Sequence, residues 1–104
     1  MKMKIVNLTP HQVRLNWGTE FAPSGTVARV RAEYTGPDED GIYVVTFGQV
    51  QNLPAPEPGT LYVVSALVGQ AAKRADVVSP ATGHPEAIRD ASGQIKSVPG
   101  WVRA

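Results

Sequence analysis

The stretch TLYVVSALVGQAAKRADVVSP, residues 60–80, decides the fold. Leu61, Tyr62, Val63 and Val64 are large or β-branched apolar residues and read as a strand. From Ser65 the composition changes. Ala, Leu, Gln, Lys and Arg dominate SALVGQAAKR, which predicts one helix over 65–74. Ser65 stands where an N-cap belongs, and Lys73 and Arg74 fall at the end that favours cations. Gly69 weakens the helix. Asp76, Val77, Val78 and Ser79 predict a short strand that Pro80 stops. The strand–helix–strand segment over 60–85 is too brief for a Rossmann unit and lacks its glycine fingerprint. It predicts one central helix among β-strands.

Outward from this segment the chain is β-rich and heavily punctuated. Residues 2–8 alternate loosely and read as a strand. Thr9 and Pro10 break it, and Val13, Leu15 and Trp17 resume the pattern over 12–17. Two strands meeting at the NLTPH turn, residues 7–11, predict a hairpin. Within TVARVRAEY, residues 26–34, Val27, Arg29 and Arg31 share one face and Ala28, Val30 and Ala32 the other. TGPDEDG, residues 35–41, is a polar turn. IYVVTFGQV, residues 42–50, is a strand in which Gly48 marks a bulge or a close backbone approach. Three prolines make 52–59 a loop. DASG, residues 90–93, turns a late hairpin between 87–89 and 94–98, and Trp101 and Val102 read as a closing element. The expected fold is α+β: a mainly antiparallel sheet of five to seven short strands packed on one helix.

A chain of 104 residues is expected to be a single domain, 1–104. A net charge of +1 gives no global electrostatic case for a nucleic-acid polymer or an anionic membrane. With no cysteine, disulfides and thiolate metal sites are excluded. The longest apolar stretch, 61–68, is too short to span a bilayer. Lys2 and Lys4 are followed by no signal-peptide apolar region, so the cytoplasm is the expected location.

No catalytic constellation emerges. His11 and His84 lack the spacing and the partner ligands of a zinc site, so no metal and no cofactor is expected. His11 reads first as a turn residue. Ser65 follows a strand, but Val63-Val64-Ser65-Ala66-Leu67 lacks the glycines of a nucleophile elbow, and a capping serine is the better reading. Asp38, Glu39 and Asp40 solvate a turn. The arginines leave two readings open. Arg29, Arg31, Arg74 and Arg89 are ordinary surface residues, or they line a small anionic or nucleotide pocket. In the second case backbone N–H groups near Ser65 would add donors, and Phe47, Tyr43, Tyr62 and Trp101 would offer stacking surfaces. The loop SPATG, residues 79–83, would add hydroxyls, Thr82 among them.

Five stretches together, IVNLTPHQV, PSGTVARV, VVTFGQVQNLP, PGTLYVVSALVGQAA and RADVVSPATG, resemble a family of small phage and prophage proteins that open on NLTPH. The likeness runs from Ile5 to about Asp90. It is similar in kind to the phage anti-defence "sponge" class, in particular the Thoeris anti-defence proteins. That resemblance implies a non-enzymatic, homo-oligomeric binder that captures a cyclic ADP-ribose-type immune signal without cleaving it. Arginines and an aromatic residue line the pockets of that class. By residue type this implies Arg74, Arg89 and Phe47 here, with Arg29, Arg31, Ser65, Thr82 and His11 as further ligand-binding candidates. A protein–protein inhibitor or accessory interaction protein is the alternative. Because Tyr62, Val64 and Leu67 do not easily share one small core, segment 61–68 is expected at the oligomer interface.

Overall fold

A computed structural model describes residues 3–103. The described chain forms β1 (Lys4–Asn7), β2 (Val13–Arg14), β3 (Glu20–Phe21), β4 (Ala32–Thr35), β5 (Val44–Phe47), β6 (Thr60–Val63), α1 (Ala66–Ala72), β7 (Val77–Pro80), β8 (Ile88–Arg89), β9 (Ile95–Ser97) and β10 (Trp101–Val102). The α+β class is as expected, with more and shorter strands. Turn residues cut the apolar runs, leaving several strands only two residues long.

The centre departs from the antiparallel expectation. The main sheet has the order β1-β6-β7-β10. β1 pairs parallel with β6, and β6 parallel with β7; only β10 runs antiparallel. Parallel neighbours need a crossover of roughly a dozen residues, and the chain between Val63 and Val77 is just long enough to supply one through α1. A segment too short for a dinucleotide unit is therefore long enough for a minimal βαβ unit. The expected β1–β2 hairpin is also absent. Leu8 N–H donates to the Val63 carbonyl, continuing the β1–β6 pairing, while β2 pairs with β3 across a tight turn.

Side-chain alternation sorts the sheet into two cores. Leu8, Tyr62, Val64, Val68 and Val77 pack on one face, with Val30, Val50 and Leu53 against them. Val13, Leu15, Val63, Val78 and Val98 pack on the other, with Phe21 and Trp101. β6 is thus buried on both faces, as central parallel strands are. This resolves the difficulty with segment 61–68. Tyr62 and Val64 enter one core and Val63 the other, leaving only Leu67 exposed among its larger side chains. The segment is an internal element, and its apolar density does not require an oligomer interface.

The helix begins where Ser65 caps it: the Ser65 hydroxyl accepts from the Val68 N–H. It ends at Lys73, in the left-handed conformation, whose N–H donates to the Gly69 carbonyl. Gly69 is needed for packing. A Cβ there would lie 3.1 Å from the Ser79 hydroxyl, so the glycine lets α1 settle closely on β7.

β4 and β5 pair with each other in register Ala32–Phe47 to Thr35–Val44 and form a separate two-stranded arm. The Cα radius of gyration, 15.4 Å, exceeds the roughly 13 Å of a compact chain of this length.

Candidate functional site

Three sequence segments that read as unrelated turns converge at one end of the parallel sheet. β1 ends in Asn7 and runs on into Thr9-Pro10-His11. β6 ends in Val63 and is followed by Ser65 and Ala66. β7 ends in Ser79 and Pro80, ahead of Thr82. These are the carboxyl ends of three parallel strands, where open α/β sheets place their ligand crevices. A cleft of about 510 Å³ opens here, and β9 closes it with Ile95, Lys96 and Ser97. A second hollow of about 530 Å³ shares Ala66, Ser79, Pro80 and Thr82 and extends it towards His84.

The NLTPH rim is held by a buried amide. Asn7 Nδ2 donates to the carbonyls of His11 and Phe21, at 2.8 and 3.0 Å. Asn7 Oδ1 accepts from the Thr9 N–H at 3.0 Å and the Thr9 hydroxyl at 2.7 Å. One side chain therefore fixes the end of β1, the turn and β3 together. Asn7 is a structural residue, and its effect is to set Pro10 and His11 on the cleft wall.

The cleft surface is mainly apolar, and the polar groups set into it are of a particular kind. Ser65, Ser79, Thr82 and Ser97 line it, with the cations Arg14 and Lys96, and none of its lining residues is a carboxylate. Arg14 is partly offset by Glu20 at 3.6 Å. The Ser97 hydroxyl donates to Asn16 Oδ1 at 2.7 Å. The Ser65 hydroxyl serves the cap and is bonded to neither histidine nor carboxylate among the described residues.

The eight candidates read from the sequence fall into four places. His11, Ser65 and Thr82 meet in the cleft. Arg29 and Arg31 border a different hollow, about 460 Å³, at the base of the arm, and Phe47 lies on the arm itself. Arg74 sits before β7, at the opposite end of the sheet from the cleft. Its guanidinium grips Asp76 through two bonds of 2.9 and 2.6 Å, donates to the Pro54 carbonyl and lies 5.9 Å from the Tyr62 ring centroid. The Arg74 hydrogen bond holds the Asp76 carboxyl below its ordinary value, and Arg74 is itself raised by the same bond. Arg89 donates to the carbonyls of Gly93 and Thr82 and so ties the β8–β9 hairpin to the cleft-side loop. The stacking candidates Tyr62 and Trp101 are packed in the cores, Trp101 at 5.6 Å from Phe21.

Ser79 enters the cleft as part of the hydroxyl-bearing SPATG stretch, whereas Arg14, Lys96 and Ser97 carry no signal as cleft residues. Each of these three is a single polar residue on a short strand without a motif. Among the described residues no helix is long and apolar enough to cross a membrane. No family model matches the chain, and neither a curated protein nor a solved structure is significantly similar to it.

Proposed function

We propose that the chain binds a small, negatively charged, nucleotide-derived molecule in the cleft at the carboxyl ends of β1, β6 and β7, and holds it uncleaved. The observation that carries this reading is the lining: several hydroxyls, two cations and a histidine around about 510 Å³, with no carboxylate. That volume lies within the range of ordinary small-molecule sites. Lys96 and Arg14 supply charge for a phosphate, Ser65, Ser79 and Thr82 supply hydroxyl donors for phosphate or ribose, and Pro10, Ala66 and Ile95 give apolar surface to a ring. Among the described residues the Ser65 hydroxyl is engaged by the cap and hydrogen-bonded to no histidine or carboxylate, which favours retention over turnover. This agrees with the sponge-like behaviour that the sequence resemblance implies, with a cyclic ADP-ribose-type signal as the ligand class.

The test is calorimetric titration with ADP-ribose and cyclic ADP-ribose, followed by heat release and mass analysis of the ligand. Saturable binding that falls at least about tenfold in Lys96→Glu, with the ligand recovered intact, supports the reading. Recovery of a hydrolysed product, or no binding of either probe, overturns it. A second reading, a protein–protein inhibitor or accessory protein, is favoured by a separate observation: the apolar side chains exposed along the β4–β5 arm. Pull-down of one stoichiometric host protein, with no nucleotide bound, would move the assignment there.

A further inference from the structure

The β4–β5 arm takes no part in the cleft. Its register sets Ala32 opposite Phe47 and Tyr34 opposite Val45, so these four share one face. Tyr43 joins them, its ring edge-on to Tyr34 at 6.3 Å. The opposite face carries Arg31, Glu33, Thr35, Thr46 and one apolar residue, Val44. Gly48 N–H donates to the Arg31 carbonyl at 2.8 Å. Antiparallel pairs alternate between bonded and unbonded, so the backbone groups of Ala32, Tyr34, Val45 and Phe47 point to the arm's two free edges. The aromatic face is largely open, with Tyr34 68% exposed. A two-stranded hairpin with such a face is marginal in water on its own.

The arm is also polarised along its length. Arg29 and Arg31 stand at its base, and Asp38, Glu39 and Asp40 at its tip. Among the described residues the ion pairs are Arg14–Glu20 and Arg74–Asp76, so none of these five is neutralised within the chain. Such an arm is self-complementary in one orientation only. Two arms laid parallel would bring tip to tip and base to base, with like charges together. Laid antiparallel about a two-fold axis, each acidic tip lies beside the other copy's basic base.

We infer that the arm docks on the arm of a second copy of this chain, antiparallel, aromatic face to aromatic face, with the tip carboxylates of each beside Arg29 and Arg31 of the other. A two-fold contact of this kind uses the same patch on both copies. The arginines lie on the outer face, so they act across about one sheet spacing, roughly 10 Å. That is comparable with the screening length of about 8 Å at physiological salt, and the charges therefore set orientation more than strength. The aromatic face offers roughly 400 Å² per copy. The total of about 800 Å² falls short of the roughly 1,200–2,000 Å² of stable complexes. The dimer is accordingly weak, concentration-dependent and favoured at low salt. The contact is independent of the cleft and does not rest on the ligand assignment.

Sedimentation velocity on the full chain, over a concentration series at low and high salt, tests this. Wild type should shift from monomer to dimer with a midpoint of about 100 μM, and to higher concentration as salt rises. Val45→Glu should remain monomeric while keeping the wild-type circular dichroism of the body. The charge arrangement has its own test, built on the tip residues other than Asp38, whose carboxylate organises the turn. The variants R29E/R31E and E39K/D40K should each lose self-association by about tenfold or more, and an equimolar mixture of the two should recover it. A wild-type chain monomeric throughout the series overturns the inference, including the case in which the arm instead captures a different protein. So does a dimer indifferent to Val45→Glu, or a mixture no better than its components.

Discussion

The tripeptide Tyr-Val-Val occurs twice, and its two copies have opposite fates. At the end of β6, Tyr62, Val63 and the following Val64 are 3%, 0% and 0% exposed; at the start of the arm, Tyr43, Val44 and Val45 are 55%, 60% and 44% exposed. The difference lies in what the rest of the chain brings to them. β6 is flanked by β1 and β7 in one sheet, with α1 and the 28–30 and 50–53 segments on one face and β2, β9 and Trp101 towards the other. The arm copy has one neighbour, β4. An apolar β-sequence specifies extended backbone, whereas burial is specified by non-local pairing.

Paired substitutions at the two copies break or sharpen this comparison. Tyr62→Ala should cost about 3–5 kcal/mol, because it empties a core position and removes the hydroxyl that donates to the Ala55 carbonyl. Tyr43→Ala should cost under about 1.5 kcal/mol, the worth of its edge contact with Tyr34. Urea melts of the two variants check the contrast; equal losses would mean the arm is packed in solution far more tightly than its exposure indicates. Val64→Ala against Val45→Ala repeats the test on a smaller side chain, with about 2 kcal/mol expected in the body and about 0.5 kcal/mol or less in the arm.

Asn7→Ala probes the body where it meets the cleft. It leaves the His11 and Phe21 carbonyls and the Thr9 N–H without their partner, at an expected cost of about 2–3 kcal/mol. Because the lost bonds shape the rim, the same variant should weaken ligand binding, whereas no arm substitution should.

The acid response yields the smallest effect. Arg74 holds Asp76 below the ordinary carboxylate value. A carboxylate depressed in the folded state contributes stability above its ordinary value, and that contribution is lost as pH falls through the depressed one. Wild type should therefore lose stability below about pH 4, and Asp76→Asn should show a flatter acid limb. Both partners are partly solvent-exposed, so the difference at neutral pH should be about 1 kcal/mol. Urea midpoints at several pH values read it directly.

Local features were legible where local chemistry decides them. Ser65 as the cap, the proline loop over 52–59 and the DASG turn follow from cap and turn chemistry within a few residues, whereas Pro80, read as the stop beyond Ser79, is itself the last residue of β7 and pairs with Trp101. The DASG turn is confirmed by Asp90 Oδ1 accepting from Ser92 and Gln94 N–H. Parallel order was not legible, because β1 finds β6 across the whole arm and a single chain carries no mark of that pairing. The cleft was hidden for the same reason: NLTPH, Ser65 and SPATG become one wall only once β1, β6 and β7 run parallel. Lys96 and Arg14 carried no signal beyond alternation with buried Ser97 and Val13. Arg74 is a ligand candidate by residue type alone, yet its Arg-Ala-Asp spacing already offers a local ion pair, and the structure forms it.

The central claim, that the body binds at the carboxyl ends of its parallel strands while the arm stays apart, is tested most directly by amide chemical shifts during titration with cyclic ADP-ribose. Saturating shifts should gather at His11, Arg14, Ser65, Thr82, Lys96 and Ser97, with Tyr34, Tyr43 and Phe47 unmoved at a concentration where the chain is monomeric. Shifts confined instead to Arg29, Arg31 and Gly48 at the arm's base, or none at all, would contradict it.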